Sequence, residues 1–500
     1  MRSLRNSGIL LHPTSLPGSG GIGSLGAEAR TFIDFLVESG QSLWQVLPLG
    51  PTGFGNSPYS CYSAFAGNPL LINVEILAGE GDLSVEECVD HEGSYRVEYP
   101  RVERRKFRLL RKAADTFISR DDSVRHVEFR LFRETTPWLQ DFALFMSLKE
   151  HFNGACWNDW PAEVRDRSPH TLIEYASRLA HELNVISYFQ WQFYRQWRLL
   201  KSYANERGIS IIGDIPIFVA YDSAEVWANP SLFKLDQKGT PTVVTGVPPD
   251  YFSPTGQLWG NPHYDWDALA HTGYAWWIER MRCSLDLYDI IRIDHFRGFA
   301  ASWEVPAGEG TAVNGQWIKG PGAALFDALE AALGKASIIA EDLGIITPDV
   351  EELRDRFSFP GMKILHFAFD SGPDNPYLPH NHLQKSVVYT GTHDNDTTAG
   401  WFSTLPEQVQ RFVRRYLHCQ GRDIVWELIR TALASVAETA IIPLQDLLSL
   451  GNDCRMNMPG SVGSNWSWRY AEGDLTVALS TRLGDLTELY GRKLKVHHHN

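Results

Sequence analysis

Closely spaced cysteines are absent from this 500-residue chain. Its six cysteines form no C-x-x-C pair and no regular spacing; they are Cys61, Cys88, Cys156, Cys283, Cys419 and Cys454. Disulfide frameworks and cysteine zinc sites both need cysteines at regular, short spacings. The pattern therefore predicts a reduced, intracellular protein, and we expect it in the cytoplasm.

Long hydrophobic runs and an excess of positive charge are also missing. No stretch approaches the roughly 20 apolar residues of a membrane helix, and the N-terminal MRSLRNSGILLHPTSLPGSG is too polar for a secretion signal. The formal net charge is −14, which argues against a nucleic-acid or anionic-membrane partner. A neutral ligand remains compatible with this charge.

Aromatic residues, in contrast, are plentiful: the chain has 17 Trp, 18 Tyr and 25 Phe. Many of these rings can be core, but surplus Trp and Tyr also provide flat apolar faces with a polar edge. A groove for sugars or bases is one use of such rings.

Apolar runs alternate with helix-like segments along the whole chain. About eight such runs are typical of strands; they begin at GILL (8–11) and continue with SLWQVLPL, GISIIGD, IIRID, SIIAED, GMKILHFAF (361–369), SVVYTG and AIIPLQDLL (440–448). This pattern predicts a parallel sheet covered on both faces. A doubly wound sheet fits it, but a closed (β/α)8 TIM barrel fits better, because acids follow several strands rather than one switch point.

The spacing of the strands predicts large, mainly helical insertions in that barrel. We expect one catalytic domain over 1–500, with a helical insertion at about 70–205 and substrate-covering loops and helices at about 222–285. Only about 50 residues follow the last predicted strand, so no separate C-terminal β-domain is expected.

Four of the predicted strands end at an acid: Asp214, Asp294, Glu341 and Asp394. A carboxylate just past a barrel strand is held rigidly at the sheet's carboxyl edge, where barrel enzymes place their chemistry. We therefore expect these carboxylates to converge on one site.

The motifs around these acids each have a second interpretation. In RIDHFRG, the alternation of side chains along a strand puts Arg292 and Asp294 on one face. The arginine can then position a functional carboxylate, or the two can form a purely structural ion pair. In AEDLG, one of two adjacent acids can face the barrel mouth and the other outward. THDND (392–396) suits catalysis or a metal, although no metal-binding spacing accompanies it.

A glycine-rich stretch, GSGGIG (18–23), formally matches a dinucleotide-binding fingerprint. Prolines precede it, no helix is predicted to start within it, and no acid for the ribose lies about 20 residues on. An ordinary loop is the preferred interpretation, and we expect no cofactor.

Two carboxyl groups in different environments are what cleavage of a glycosidic bond requires, one as nucleophile and one as acid/base. The aromatic residues Tyr59, Tyr251, Phe252 and Trp259 are predicted in Gly/Pro-rich loops rather than in strand cores, and there they can line a sugar groove. Hydrophobic clusters beneath loops are the alternative for each of them.

Nine segments of the chain together resemble one known family: LHPTSLPG, PTGFGNSPYSCYSAFAGNP, GDIPIFVAYDSAEVWANP, GVPPDYFSPTGQLWGNPHYDW, RIDHFRG, AEDLG, YTGTHDNDT, RMNMPG and NWSWR. They are similar in order and combination to the 4-α-glucanotransferases of the amylomaltase (disproportionating enzyme) family, in the α-amylase superfamily. The resemblance covers nearly the whole length.

This resemblance implies Asp294 as nucleophile, Glu341 as general acid/base and Asp394 as stabiliser of the transition state. We expect substrate contacts from eleven residues: Ser57, Tyr59, Asp214, Tyr251, Phe252, Gln257, Trp259, Arg292, His295, His393 and Asn465.

The sequence thus predicts a cofactor-free, metal-free, retaining transglycosylase acting on α-1,4-glucans and maltooligosaccharides, as a monomer or weak homo-oligomer. Three alternatives remain: a glucan hydrolase of the same fold, a non-catalytic glucan-binding barrel and a metal-dependent barrel hydrolase.

Overall fold

The structure, a computed structural model, describes residues 5–90, 94–120, 123–249, 253–461 and 463–493. The strands in these ranges are β1 Asn6–Leu10, β2 Leu43–Gln45, β3 Ser210–Pro216, β4 Val243–Val247, β5 Gln257–Pro262, β6 Ile290–Asp294, β7 Ala301–Pro306, β8 Gln316–Lys319, β9 Ile338–Ala340, β10 Gly361–Ile364, β11 Ser386–Tyr389 and β12 Thr439–Pro443.

The α-helices of the same ranges are α1 Ala27–Glu38, α2 Val74–Gly79, α3 Val85–Cys88, α4 Tyr99–Ile118, α5 Ser123–Thr135, α6 Leu139–His151, α7 Ala162–Arg165, α8 Pro169–Arg178, α9 Ala180–Glu206, α10 Ala224–Ala228, α11 Trp266–His271, α12 Ala275–Leu287, α13 Ala323–Leu333, α14 Pro348–Arg356, α15 Thr398–Thr404, α16 Glu407–Leu417, α17 Ile424–Ala434, α18 Leu444–Leu447 and α19 Val477–Leu489. No helix in the described ranges has the length and apolar character needed to cross a membrane.

Eight parallel strands form the barrel, in the order β1, β2, β3, β6, β9, β10, β11 and β12, with β12 returning to β1. The seam between β9 and β10 is closed by two hydrogen bonds. The Ala340 N–H donates to the carbonyl of Pro360 at 3.0 Å, and the Met362 N–H donates to the Asp342 carboxylate at 2.7 Å. The predicted (β/α)8 barrel is confirmed, and each predicted apolar run overlaps one of its strands.

Several predicted strands are shorter than their apolar runs: β2 covers only Leu43–Gln45 of SLWQVLPL (42–49), and two other runs continue as helical turns. The run 361–369 is a strand only to Ile364, after which one 3₁₀ turn follows. The run 440–448 ends as a strand at Pro443, and α18 begins at Leu444. Pro443 has no N–H for the ladder and favours the start of a helix. Apolar content predicted both segments as strands because buried strands and buried short helices look alike in sequence.

Alternation along each strand builds the core in two layers. Side chains such as Leu10, Ile212, Ile339 and Tyr389 fill the barrel interior, whereas their neighbours pack against the surrounding helices. On β3 and β6 the interior positions continue upward from Ile212 and Ile290 to charged residues. The apolar filling of the barrel therefore ends in a layer of charges at its carboxyl end.

A second sheet, which was not predicted from the sequence, stands beside the barrel mouth. It is antiparallel in the order β5, β4, β7, β8. Its strands come from both sides of β6 in the chain, two before it and two after it. The chain therefore passes from this sheet into β6, the strand that carries Asp294, and back into the sheet.

Candidate active site

The charged layer at the barrel mouth is organised around Arg292, which is 4% exposed. Its Nη1 donates to both carboxylate oxygens of Asp214, at 2.8 and 2.6 Å, and its Nη2 donates to Asp294 Oδ1 at 3.0 Å. The predicted placement of Arg292 and Asp294 on one face is thereby confirmed. The arginine fixes the orientation of both carboxylates and supplies their counter-charge.

Asp214 lies beneath the site, with 1% of its surface exposed. Besides Arg292, it accepts a hydrogen bond from the Tyr59 hydroxyl at 2.8 Å. Burial raises its pKa to about 7, while Arg292 opposes that rise. Since both of its oxygens are already bonded, Asp214 acts on the site through Tyr59 and Arg292.

Glu341 follows β9 and lies beside Asp294. Strand pairing places Ile293 next to Ala340, and the backbone N–H of His295 donates to Glu341 Oε2 at 2.7 Å. The Leu343 N–H donates to Oε1 at 2.9 Å. Burial, with the negative charge of Asp294 as the next cause, raises the pKa of Glu341 to about 8. A carboxyl that carries its proton at neutral pH is thus held next to the Asp294 carboxylate.

The adjacent acid, Asp342, points away from the mouth. It accepts hydrogen bonds from the Met362 N–H at 2.7 Å and from the guanidinium of Arg354 at 2.6 Å. Of the two acids in AEDLG, therefore, Glu341 faces the site and Asp342 closes the barrel seam.

Asp394 follows β11, and its side chain is 48% exposed. Its Oδ1 accepts a hydrogen bond from Asn457 Nδ2 at 2.6 Å and lies 3.3 Å from His393 Nε2. Burial lowers the pKa of His393, so the imidazole is neutral and can donate one N–H. This places a third carboxylate at the same edge as Asp294 and Glu341.

Two aromatic groups flank the carboxylates. On one side the rings of Tyr59 and His393 stack with their centroids 5.1 Å apart, and Trp466 lies 6.0 Å from Tyr59. On the other side Trp259 meets His295 edge to face at 4.8 Å. These rings provide apolar faces on opposite sides of the acids.

Trp259 and Gln257 lie on strand β5 and not in a loop as the Gly/Pro content suggested. Both side chains are exposed, and the Trp259 indole N–H donates to Gln257 Oε1 at 3.2 Å. Strand pairing with β4 holds this surface in place, because a strand in a ladder is more rigid than a loop.

His295 has a left-handed backbone, with φ of 54°. Burial lowers its pKa to about 3, so its ring is neutral. Its Nε2 is buried and has no hydrogen-bond partner among the described residues. A buried polar atom without a partner next to reactive carboxyls is suited to contact a bound hydroxyl.

The remaining predicted contacts lie at the rim. The Ser57 hydroxyl accepts from the Tyr59 N–H at 3.3 Å. The Asn465 side chain accepts from the Met458 N–H at 3.1 Å and donates to the Ser461 carbonyl at 3.0 Å, so it braces its own loop. Tyr251 and Phe252 lie outside the described residues.

Sequence reasoning missed Arg455 and Asn457, which contact Asp394 directly. Both belong to RMNMPG, a segment noticed only for its resemblance. No local pattern could assign them, because they act across about 60 positions of the chain.

The GSGGIG stretch forms the predicted loop. The guanidinium of Arg469 donates to the carbonyls of Leu16 and Gly18, at 3.1 and 3.0 Å, so the backbone here receives a cation. Within the part of the chain that the structure describes, no group of three or more His, Cys, Asp or Glu residues could hold a metal ion.

Comparison with known proteins decides the family. A family model described as 4-alpha-glucanotransferase matches residues 11–476. The chain belongs to this family. A 4-alpha-glucanotransferase of Synechocystis sp. is 53% identical over 99% of both chains. Another, from Thermus thermophilus, is 50% identical over 97% of this chain and 98% of its own.

Solved structures agree with this family assignment. Amylomaltase from Streptococcus agalactiae, determined in complex with acarbose, superposes with a TM-score of 0.95 at 41% identity, covering 98% of this chain and all of its own. Amylomaltase from Corynebacterium glutamicum, at 20% identity and a TM-score of 0.75, shows the shared fold alone. The resemblance to the 4-α-glucanotransferases stated from sequence motifs is thus confirmed.

Proposed function

We propose that this protein is a retaining 4-α-glucanotransferase that moves segments of α-1,4-glucans and maltooligosaccharides from donor to acceptor. The observation that carries the proposal is the pair Asp294 and Glu341. They follow paired neighbouring strands, and the first is bonded to Arg292 while the second is buried with a pKa that the charge of Asp294 helps to raise. A retaining mechanism needs one ionised and one protonated carboxyl at the same glycosidic bond.

In the first step the Asp294 carboxylate attacks the anomeric carbon of the donor. The bond from that carbon to the O4 of the departing glucan breaks, and the proton of Glu341 passes to that oxygen. The products are a glycosyl ester on Asp294 and an ionised Glu341.

In the second step Glu341 removes the proton from the 4-hydroxyl of an acceptor glucan. That oxygen bonds to the anomeric carbon while the ester bond to Asp294 breaks, which returns both carboxyls to their starting states. The negative charge of Asp294, one cause of the raised pKa of Glu341, is absent while the ester exists. The pKa of Glu341 therefore falls at this stage, and its carboxylate form, which is the base, is better populated.

Asp394 and Arg292 serve the same reaction without forming bonds to sugar carbon. We infer that the half-exposed carboxylate of Asp394 stabilises the oxocarbenium-like charge of the transition state. Arg292 orients Asp294 and supplies its counter-charge, and is itself held from below by Asp214. We also propose that the eleven expected contact residues bind glucan hydroxyls and ring faces, Asp214 doing so through Tyr59 and Arg292.

Transfer instead of hydrolysis requires that a sugar hydroxyl outcompetes water. We propose that the β4–β5 hairpin, with Trp259 on its exposed edge against His295, covers the glycosyl ester until an acceptor arrives.

The proposal extends to the chain as a whole. We propose one catalytic domain over 1–500 with insertions at about 70–205 and 222–285, working without metal or cofactor as a monomer or weak homo-oligomer. The six cysteines are all free thiols in the structure, which favours a reducing compartment such as the cytoplasm. Sedimentation tests the oligomeric state, and undiminished turnover in EDTA is expected.

Incubation with maltotriose is the experiment that tests the proposed activity. A transferase converts it to glucose and to oligomers longer than the substrate. Only shorter sugars would indicate the hydrolase, and binding without any products would indicate a non-catalytic glucan-binding barrel.

A further inference from the structure

The segment Arg455–Asn457, which follows the last barrel strand, contacts the loop that carries Asp394. The Asn457 N–H donates to the carbonyl of His393 at 3.1 Å, and its side-chain amide donates to Asp394 Oδ1 at 2.6 Å. The guanidinium of Arg455 bridges two carbonyls, those of Asp394 and Asn457. Backbone and carboxylate of Asp394 are thus both held from one segment.

The segment is itself anchored to the barrel. Met456 is 5% exposed and packs into the barrel interior. Its carbonyl accepts the N–H of Trp466 at 2.8 Å, and Trp466 packs near Tyr59 and His393. The donor groups of Arg455 and Asn457 are therefore presented from a buried support.

Asp394 needs such a support because it is the most exposed of the three acids. A half-exposed aspartate at a loop has rotational freedom that water does nothing to restrict. The Asn457 amide and the His393 ring both approach Oδ1. No donor among the described residues bonds the second oxygen, Oδ2, which is left free at the mouth of the barrel.

We propose that Asn457 is a positioning residue that orients the Asp394 carboxylate, so that Oδ2 carries its charge toward the reacting sugar. The inference rests on the proposed function, in which Asp394 stabilises the transition state. By this inference, the segment Arg455–Asn457, which follows the last barrel strand, sets the geometry of a catalytic group.

The experiment compares Asn457→Ala and Asn457→Asp with the wild-type chain in maltotriose disproportionation. The structure offers a matched control, Asn452, whose amide donates to Asp396 Oδ2 of the same loop at 2.8 Å. Asn457→Ala is expected to lower kcat roughly 10- to 100-fold, the effect of a misplaced catalytic group, with KM and thermal unfolding little changed. Asn452→Ala is expected to retain wild-type kcat.

Asn457→Asp preserves the shape and adds a second readout. Its new carboxyl faces Asp394, so one of the two takes up a proton at higher pH than an isolated aspartate would. The protonated member can donate the missing hydrogen bond. The loss is therefore expected to be smaller at acid pH, and the pH optimum to move downward. The other charged or titratable groups facing this position are His393, Arg455 and Tyr59.

Three results would overturn the inference: wild-type kcat in Asn457→Ala, an equal fall of kcat in Asn452→Ala, or an unmoved pH profile in Asn457→Asp. Each leaves the proposed function intact, provided that the wild-type chain lengthens maltotriose. Failure of the wild-type chain to form longer oligomers would overturn the proposed function and, with it, the role given to Asn457.

Discussion

Replacement of Glu341 by glutamine changes more than acidity at this site. Both oxygens of the carboxyl accept backbone hydrogen bonds, from His295 at 2.7 Å and from Leu343 at 2.9 Å. A protonated carboxyl can still accept at both oxygens, whereas an amide can accept at only one. Glu341→Gln therefore removes the transferable proton and turns an NH₂ group toward one buried backbone N–H.

The two consequences have separate magnitudes. Loss of general acid–base catalysis lowers the rate by about 10²- to 10⁴-fold. A buried donor without an acceptor costs about 1–3 kcal/mol of stability. With an unfolding entropy of about 2.1 cal/mol/K per residue and 500 residues, that corresponds to a Tm lowered by roughly 1–3 °C.

A comparison of two donors separates the acid role from the structural effect. With maltotriose the departing sugar oxygen needs a proton, and kcat/KM of Glu341→Gln is expected to fall by the full factor of about 10²–10⁴. With α-maltosyl fluoride the leaving fluoride needs little protonation, so kcat/KM for fluoride release, which reports the first step alone, is expected to fall far less. Asp294→Asn is the control, since loss of the nucleophile should impair both donors alike.

Equal losses of Glu341→Gln on the two donors would refute the assignment of Glu341 as the acid. An unchanged Tm would refute the separate claim that its backbone hydrogen bonds contribute to stability. The two claims can therefore fail independently.

Three further predictions concern pH, the buried ion pair and water. Since Glu341 must be protonated to act as the acid and its pKa is raised to about 8, kcat/KM should decline as pH rises through about 8; a limb that lies two units lower would contradict this. Arg292→Met leaves buried Asp214 without its partner, which costs about 3–5 kcal/mol, so differential scanning calorimetry at neutral pH should show a Tm lower by roughly 3–5 °C. Adding Asp214→Asn should restore part of that loss, and a double variant no more stable than Arg292→Met would argue against the pairing. Trp259→Ala should raise the ratio of hydrolysis, measured as new reducing ends, to transfer, measured as longer oligomers, and an unchanged ratio would exclude its covering role.

The barrel strands could be predicted from sequence because their signal is local. Each is a buried apolar run, four of them are followed by an acid, and alternation alone placed Arg292 and Asp294 on one face. Helix ends carry a local signal too: α9 and α13 end beside Gly208 and Gly334, which have φ of +79° and +76°. Left-handed backbone at a helix end favours glycine, so the residue itself carries the information.

The second sheet could not be predicted in the same way. Its strands QLWGNP and QWIK are short and largely exposed, and QLWGNP contains a glycine and a proline. Their pairing joins segments on opposite sides of β6, as in the register of Gly246 with Trp303. Such pairing depends on tertiary contacts that no single window of sequence contains. Trp259 was assigned to a loop for this reason.

The contacts to Asp394 were missed for a related reason. Asn457 and Arg455 are ordinary polar residues in a loop, and their importance lies in a partner about 60 positions away. The directions of the two acids in AEDLG could not be predicted from the sequence either. They depend on a tertiary contact, the hydrogen bond from Arg354 to Asp342.

The adjacency of Glu341 and Asp342 makes the carboxyl end of β9 intolerant of any change in length. Glu341 is the acid/base candidate. Asp342, the next residue, closes the seam between β9 and β10 through its hydrogen bonds with Met362 and Arg354. A single inserted or deleted residue in β9 would exchange their directions, because side chains alternate at every step along a strand. The reactive carboxyl would then face the seam and the seam carboxyl would face the sugar. Variation in this segment is therefore restricted to substitutions, and a library of length variants should show no active member here.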